Sequence, residues 1–194
     1  AVLTYDIKPM AISSGYNGYF RLYEIEKLEL NNNCLSDDVS IKNSLTVGSR
    51  IRDIGKYSVV EGNENTASGN CSHAEGISTI ASGDYSHSEG DNTTASGGCS
   101  HAEGINTIAS GDYSHAEGNH TRASGNHSHA EGYYTIASTD FQHVQGRLNI
   151  EDTGRIYAHI VGNGVSDTER RNAHTLDWNG NAWYQGKLSQ DGTP

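Results

Sequence analysis

Between Ser44 and Gly146, apolar and polar positions recur with a period of 14 residues. The unit begins at Ser44, Ser58, Ser72, Ser86, Ser100, Ser114, Ser128 and, more loosely, Gln142; its clearest copies read SHAEGINTIASGDY and SHAEGNHTRASGNH. Two short stretches in each unit, Ser-His-Ala-Glu and Thr-x-Ala-Ser, alternate at period two, which sends successive side chains to opposite faces of a strand. Ser72 and Ala74 share one face and His73 and Glu75 the other, while Thr79 and Ala81 share a face of the second stretch. A short fixed period of this kind is the mark of a solenoid. The pattern predicts one coil per unit (strand, corner, strand, corner), stacked about 4.8 Å apart into a parallel β-roll roughly 35 Å long. The expected fold class is all-β.

Glycine punctuates the unit. The fifth place is Gly48, Gly62, Gly76, Gly90, Gly104, Gly118, Gly132 and Gly146; the twelfth is Gly55, Gly69, Gly83, Gly97, Gly111 and Gly125, then Thr139. Both sets are expected to form corners that need positive φ. Helices are not expected here, since each of the two glycines in every unit would cost about 1 kcal/mol in a helix. Ser, Ala and Thr recur on the faces assigned to the interior, and only small side chains fit inside so narrow a tube. A longer regularity pairs the ninth place (Thr66, Ile80, Thr94, Ile108, Arg122, Ile136) with the fourteenth (Cys71, Tyr85, Cys99, Tyr113, His127, Phe141). Contact across a corner and duplication of a two-coil unit explain that pairing equally well.

Composition agrees with a tube poor in apolar residues. Of 194 residues only 34% are hydrophobic, 23 are Gly and the mean hydropathy is -0.66. The interior must be small, or made between chains. Low hydrophobicity with high charge would point to disorder, but only 19% of residues are charged and the repeat is regular. A net charge of -11 argues against nucleic acid, whose phosphates need clustered Lys and Arg. No run approaches the ~20 apolar residues of a membrane span, and Ala1 to Met10 does not read as a secretory leader.

The motif Asn43-Ser44-Leu45-Thr46-Val47-Gly48 and the repeat it opens resemble the YadA-type head repeat of trimeric autotransporter adhesins, whose motif runs Asn-Ser-Val-Ala-Ile-Gly. The resemblance covers about residues 43 to 146. It implies a left-handed parallel β-roll and a homotrimer, and the same repeat occurs in phage tail fibres and appendages. Gly154 to Gly164 (GRIYAHIVGNG) and Asn172 to Tyr184 (NAHTLDWNGNAWY) are similar to a segment common in tail proteins of phages and prophages of Gram-positive gut bacteria. That likeness favours the phage branch.

In the adhesin heads the Val and Ile of the motif face neighbouring chains. The corresponding columns here run Leu45, Val59, His73, His87, His101, His115, His129, His143 and Val47, Glu61, Glu75, Glu89, Glu103, Glu117, Glu131. The resemblance therefore implies a trimer interface that begins apolar and becomes a ladder of His and Glu. Such a ladder must be hydrogen-bonded, since unpaired buried carboxylates are costly and like charges stacked coil on coil repel. Glu beside His is expected to make the imidazole easier to protonate, so that trimer stability would follow pH. The competing arrangement leaves the ladder in solvent and uses the Ile and Tyr columns as the interface. His and Glu can ligate divalent metal; because every coil repeats the pair, architecture is the preferred reading, and no metal or other cofactor is expected.

No catalytic constellation stands out, because every Ser, His and Glu grouping repeats from coil to coil. No Walker loop, His-Glu-x-x-His or calcium-binding nonapeptide occurs. The chain is expected not to be an enzyme. Of the three cysteines, Cys71 and Cys99 share a column two coils apart, about 9.6 Å by stacking. That is beyond the ~7 Å reach of a disulfide, and free thiols suit assembly in a reducing cytoplasm.

Three regions follow: 1–43 as a connecting segment, 44–146 as the roll, and 147–194 as a β-rich cap or tip. Tyr19 to Leu30 reads as strand, and Asn179-Gly180 as a tight turn. Trp178, Trp183 and Tyr184 are candidates for glycan contact, against the competing role of capping the roll and packing between chains. The function expected is that of a structural and receptor-binding segment of a trimeric phage or prophage tail fibre or appendage, on the virion, attached to other fibre proteins and to bacterial surface glycan. The head of a bacterial surface adhesin is the alternative. A tailspike-type polysaccharide-degrading enzyme is a third class.

Overall fold

The computed structural model describes residues 55–186 together with the backbone of three earlier strands, β1 (Leu3–Asp6), β2 (Lys27–Leu30) and β3 (Leu45–Arg50). The chain divides into two compact units, Ala1–Ser40 and Ile41–Pro194. In the first, β1 and β2 pair antiparallel, with Leu3 opposite Leu30 and Asp6 opposite Lys27. Strand at Lys27–Leu30 agrees with the sequence; residues 19–26 lie outside the described residues.

The second unit is a parallel β-solenoid. Among the described residues every regular element is a strand. β3 is followed by β4 (Val59–Ala67), which spans both strands of its coil, and then each coil carries a longer strand and a two-residue one. The longer strands are β5 (His73–Ile77), β7 (His87–Asp91), β9 (His101–Ile105), β11 (His115–Asn119), β13 (His129–Tyr133) and β15 (His143–Arg147). The short ones are β6 (Ile80–Ala81), β8 (Thr94–Ala95), β10 (Ile108–Ala109), β12 (Arg122–Ala123) and β14 (Ile136–Ala137). Register follows the repeat: His73 lies beside His87, Glu75 beside Glu89, Gly76 beside Gly90. A one-residue slip would turn every alanine outward, so the buried face fixes that register.

The interior is the one expected. Ala74, Ala81, Ala95, Ala102, Ala109, Ala116, Ala123, Ala130 and Ala137 are fully buried, with the Thr79 and Ser72 columns beside them. Each buried serine of the first place satisfies its hydroxyl by donating to the carbonyl three residues back, as Ser100 Oγ does to Gly97 O at 2.7 Å. Larger polar side chains take the threonine place in the first and last fully described coils. Asn65 replaces the threonine near the start, donating to the carbonyls of Glu61 and Gly76 and accepting from Thr79 N at 2.9 Å. Asn149 does so at the far end, bridging both backbone groups of Ile136.

The glycines divide into two kinds, which corrects one expectation. Those in the fifth place, from Gly62 to Gly146, adopt φ of 94–108° and are corners in the expected sense; Gly48 lies outside the residues whose conformation is described. Those in the twelfth place do not have positive φ; they are there because the next coil passes too close for a Cβ. Positive φ instead falls on the seventh and fourteenth places, held by side-chain-bearing residues such as Ser78 (55°), Asn92 (54°), Tyr85 (60°) and Cys99 (54°). Each tight corner is tied to the coil before it, for example by Tyr85 N donating to Asn70 O at 2.8 Å.

After β15 the parallel ladder continues with a longer step, 16 residues, so that His143 pairs with His159 in β16 (Tyr157–Asn163). β17 (Asn172–Asp177) then turns back antiparallel, and β18 (Ala182–Tyr184) antiparallel again. The β17–β18 turn is the one the sequence predicts. Gly180 has φ 85°, and Asp177 Oδ1 accepts from Asn179 N and Asn181 N at 2.9 and 2.8 Å.

Candidate functional site

The alternation that buries Ala74 and Ala102 turns His73, Glu75, His101 and Glu103 outward, where each side chain is about a third exposed. Identical coils stack like on like. The imidazoles of His73, His87, His101, His115, His129 and His143 form one column, with ring centroids 4.7–4.8 Å apart and planes within 13° of parallel. The carboxylates of Glu61 to Glu131 form a second column beside it, flanking a shallow trough of about 340 Å³ at Glu61, Glu75 and Glu89. From His87 on, each Nε2 faces the carboxylate of the preceding coil, at 3.9 Å for His87–Glu75 and 3.4–3.5 Å from His101–Glu89 to His143–Glu131, while His73 Nε2 lies 3.8 Å from Glu75 of its own coil. All six Nε2 atoms are shielded from solvent and have no hydrogen-bond partner.

At the start of the ladder, Val59 and Glu61 sit half-buried on the same face. The backbone of Leu45 and Val47 is in register with them, and their side chains lie outside the described residues. At the far end Gln145 takes the place of Glu and bonds His159 at 3.2 Å. The ring column then runs on through His159 and His174 to Tyr184, whose ring lies 4.5 Å from that of His174.

The charges settle in an alternating pattern. Glu103 is pushed up to about 7 by hydrogen bonds to Glu89 and Glu117, with burial adding to them, and Glu75 is raised by its bond to Glu89. Glu89 and Glu117, which receive those bonds, are lowered. Neighbouring carboxyls thus share protons. His87 and His115 are lowered, first by burial and then by the charge of the imidazoles stacked on them. This reverses the expectation that Glu would make them easier to protonate: burial and the stack together outweigh the carboxylates.

A prediction follows for Glu103→Gln, whose amide keeps a donor between Glu89 and Glu117 at every pH. In the native chain the raised carboxyl stabilises the fold fully below its unfolded value of 4.5, and this contribution is lost as pH rises through about 7. The variant lacks that loss. Urea midpoints in metal-free buffer should coincide near pH 5 and separate in favour of the variant by pH 8; a constant difference across the range would disprove the shared proton.

Sequence reasoning missed a third ladder. Asp84 Oδ1 accepts from Asn70 N at 2.8 Å, Asp112 Oδ1 from Gly98 N at 2.8 Å, Asn126 Oδ1 from Asp112 N at 2.9 Å and Asp140 Oδ1 from Asn126 N at 2.9 Å. The signal was present as Asn, Asp or Gly in the thirteenth place of every unit from Ser58 on. The aromatic trio at the C-terminal end is separated by the structure. Trp183 lines a cavity of about 430 Å³ with Tyr157, Arg171, Asn172 and Gln185. Tyr184 faces the histidine column instead, and Trp178 stands half-exposed at the β17–β18 turn. Cys71 and Cys99 are free, exposed thiols. Comparison with protein-family models, with curated proteins and with solved structures finds no match to this chain.

Proposed function

We propose that the chain is a segment of a homotrimeric phage or prophage tail fibre or appendage, a stiff spacer that also touches the bacterial surface. The observation that carries this reading is what the coils leave uncovered. Their interior is alanine, serine and threonine, while Ile77, Ile80, Tyr85, Ile105, Ile108 and Tyr113 stand 38–66% exposed on the outside. Coils this narrow bury little apolar area against the chain entropy they must offset. Neighbouring copies that cover those columns supply what one chain lacks, as adjoining elements do in any repeat architecture.

Surface contact is assigned to the C-terminal end. An aromatic face at Trp183 beside the planar polar groups of Arg171, Asn172 and Gln185 suits a sugar, whose C–H face stacks on the ring while its hydroxyls bond the polar groups. Light scattering tests the assembly. The expected mass is about three times the 20.9 kDa of one chain; a folded species of single-chain mass at micromolar concentration would end the proposal.

A further inference from the structure

We propose that the His and Glu ladder is a row of binding sites for divalent transition ions of the zinc type, one ion in every second coil. Five triplets bring one imidazole and two carboxylates together with ligand atoms within 4.8 Å of one another: Glu61–His73–Glu75, Glu75–His87–Glu89, Glu89–His101–Glu103, Glu103–His115–Glu117 and Glu117–His129–Glu131. Imidazole nitrogen and carboxylate oxygen are both zinc ligands, and three protein ligands with a fourth position left to water is the arrangement of open zinc sites.

Two geometric facts point to an ion. The Nε2 atoms are shielded and unpartnered although acceptor oxygens face them. The separations, 3.5 Å for His101–Glu89 and 3.4 Å for His115–Glu103 and His129–Glu117, are too long for a charge-assisted hydrogen bond of about 2.8 Å. They match the edge of a tetrahedron with metal–ligand bonds of 2.0–2.1 Å, about 3.4 Å. The glutamates are a third exposed, so their carboxylates have room to close on the ion.

Alternation follows from sharing. Adjacent triplets have a glutamate in common, and two dications on neighbouring coils would lie about 4.8 Å apart and repel. The first, third and fifth triplets share nothing. Filled together they use Glu61, Glu75, Glu89, Glu103, Glu117 and Glu131 in pairs, and each pair of carboxylates neutralises one ion. His87 and His115 then stay in the stack as spacers. The inference needs only one chain and is independent of the number of copies in the assembly.

The test is calorimetric titration of zinc chloride into the chelator-treated full chain, with cobalt(II) absorption as a report on geometry. About three ions per chain are expected, with the intense visible bands of tetrahedral cobalt. His73→Phe, His101→Phe and His129→Phe combined keep the ring stack and should leave about two ions in the alternate triplets; extending the change to His87, His115 and His143 should leave none. Glu89→Gln, nearly isosteric, covers the case in which the histidine variants do not fold, and should remove about one ion. No zinc-dependent heat, uptake unchanged in Glu89→Gln or the six-histidine variant, five ions per chain, or weak octahedral cobalt bands would each overturn the proposal.

Discussion

Gly97→Ala is expected to lower stability by about 3 kcal/mol, while Gly98→Ala, one residue later, lowers it by nothing measurable. A Cβ on Gly97 would stand 2.0 Å from the carbonyl oxygen of Gly111, 2.4 Å from its carbon and 2.9 Å from Asp112 N, all of them backbone. The backbone there cannot withdraw. Ser96 N and Gly97 N both donate to Ala109 O, at 2.9 and 3.3 Å, and Ser100 Oγ returns to Gly97 O. Relief would require opening the coil spacing, and every coil above would have to follow. On Gly98 the added carbon meets only the carboxylate of Asp112, at 3.5 Å, which is ordinary contact, and its backbone is not in the left-handed region. Loss of unfolded-state freedom there could even stabilise by about 0.5 kcal/mol. Urea denaturation of the two variants at one protein concentration is the measurement. Equal losses would mean that the coils are not stacked as closely as described.

That contrast marks where the sequence stops being legible. Period, strands, interior and register could all be read from it, because Ala and Ser alternating with His and Glu between glycines admits one stacking only. The reason for the twelfth glycine could not. Close approach and positive φ both ask for glycine, and one chain's sequence does not distinguish them. The other corners with positive φ, at Ser78 or Tyr85, carry residue types that signal nothing, because hydrogen bonds to the previous coil hold them there. The ladder was legible as a pattern and not as an energy. His beside Glu suggests easier protonation, but at His87 and His115 burial first, and then the imidazoles stacked 4.7–4.8 Å on either side, reverse the sign. Stacking like on like has the same consequence in the glutamate column, where protons are shared between coils rather than held by single residues. The C-terminal aromatics were visible as a group, and only the alternation along β18 separates Trp183 on the cavity side from Tyr184 at the ring column.

The junction after β15 rests on one residue that the sequence did not single out. Asp152 is buried, and its Oδ2 accepts from Ile156 N at 2.9 Å, Tyr157 N at 2.8 Å and Gln142 Nε2 at 3.1 Å, while Oδ1 accepts from Gly154 N at 3.1 Å. The carboxylate thus folds the two extra residues of the 16-residue step into a bend that lets β16 rejoin the parallel ladder. Asp152→Ala leaves those donors without an acceptor, at about 1–3 kcal/mol for each that water cannot reach. A net loss of about 3 kcal/mol is expected, with water recovering part of the total. Asp152→Asn keeps one oxygen, which can serve the three Oδ2 donors, and should cost only about 1 kcal/mol. The damage should be local, since each coil touches only its neighbours. Hydrogen exchange is the deciding measurement. In the alanine variant the amides of Ile156, Tyr157 and the β16–β18 strands should lose protection while those of β7 to β11 keep theirs. Uniform loss along the roll, or equal effects of alanine and asparagine, would show that Asp152 does not hold the junction.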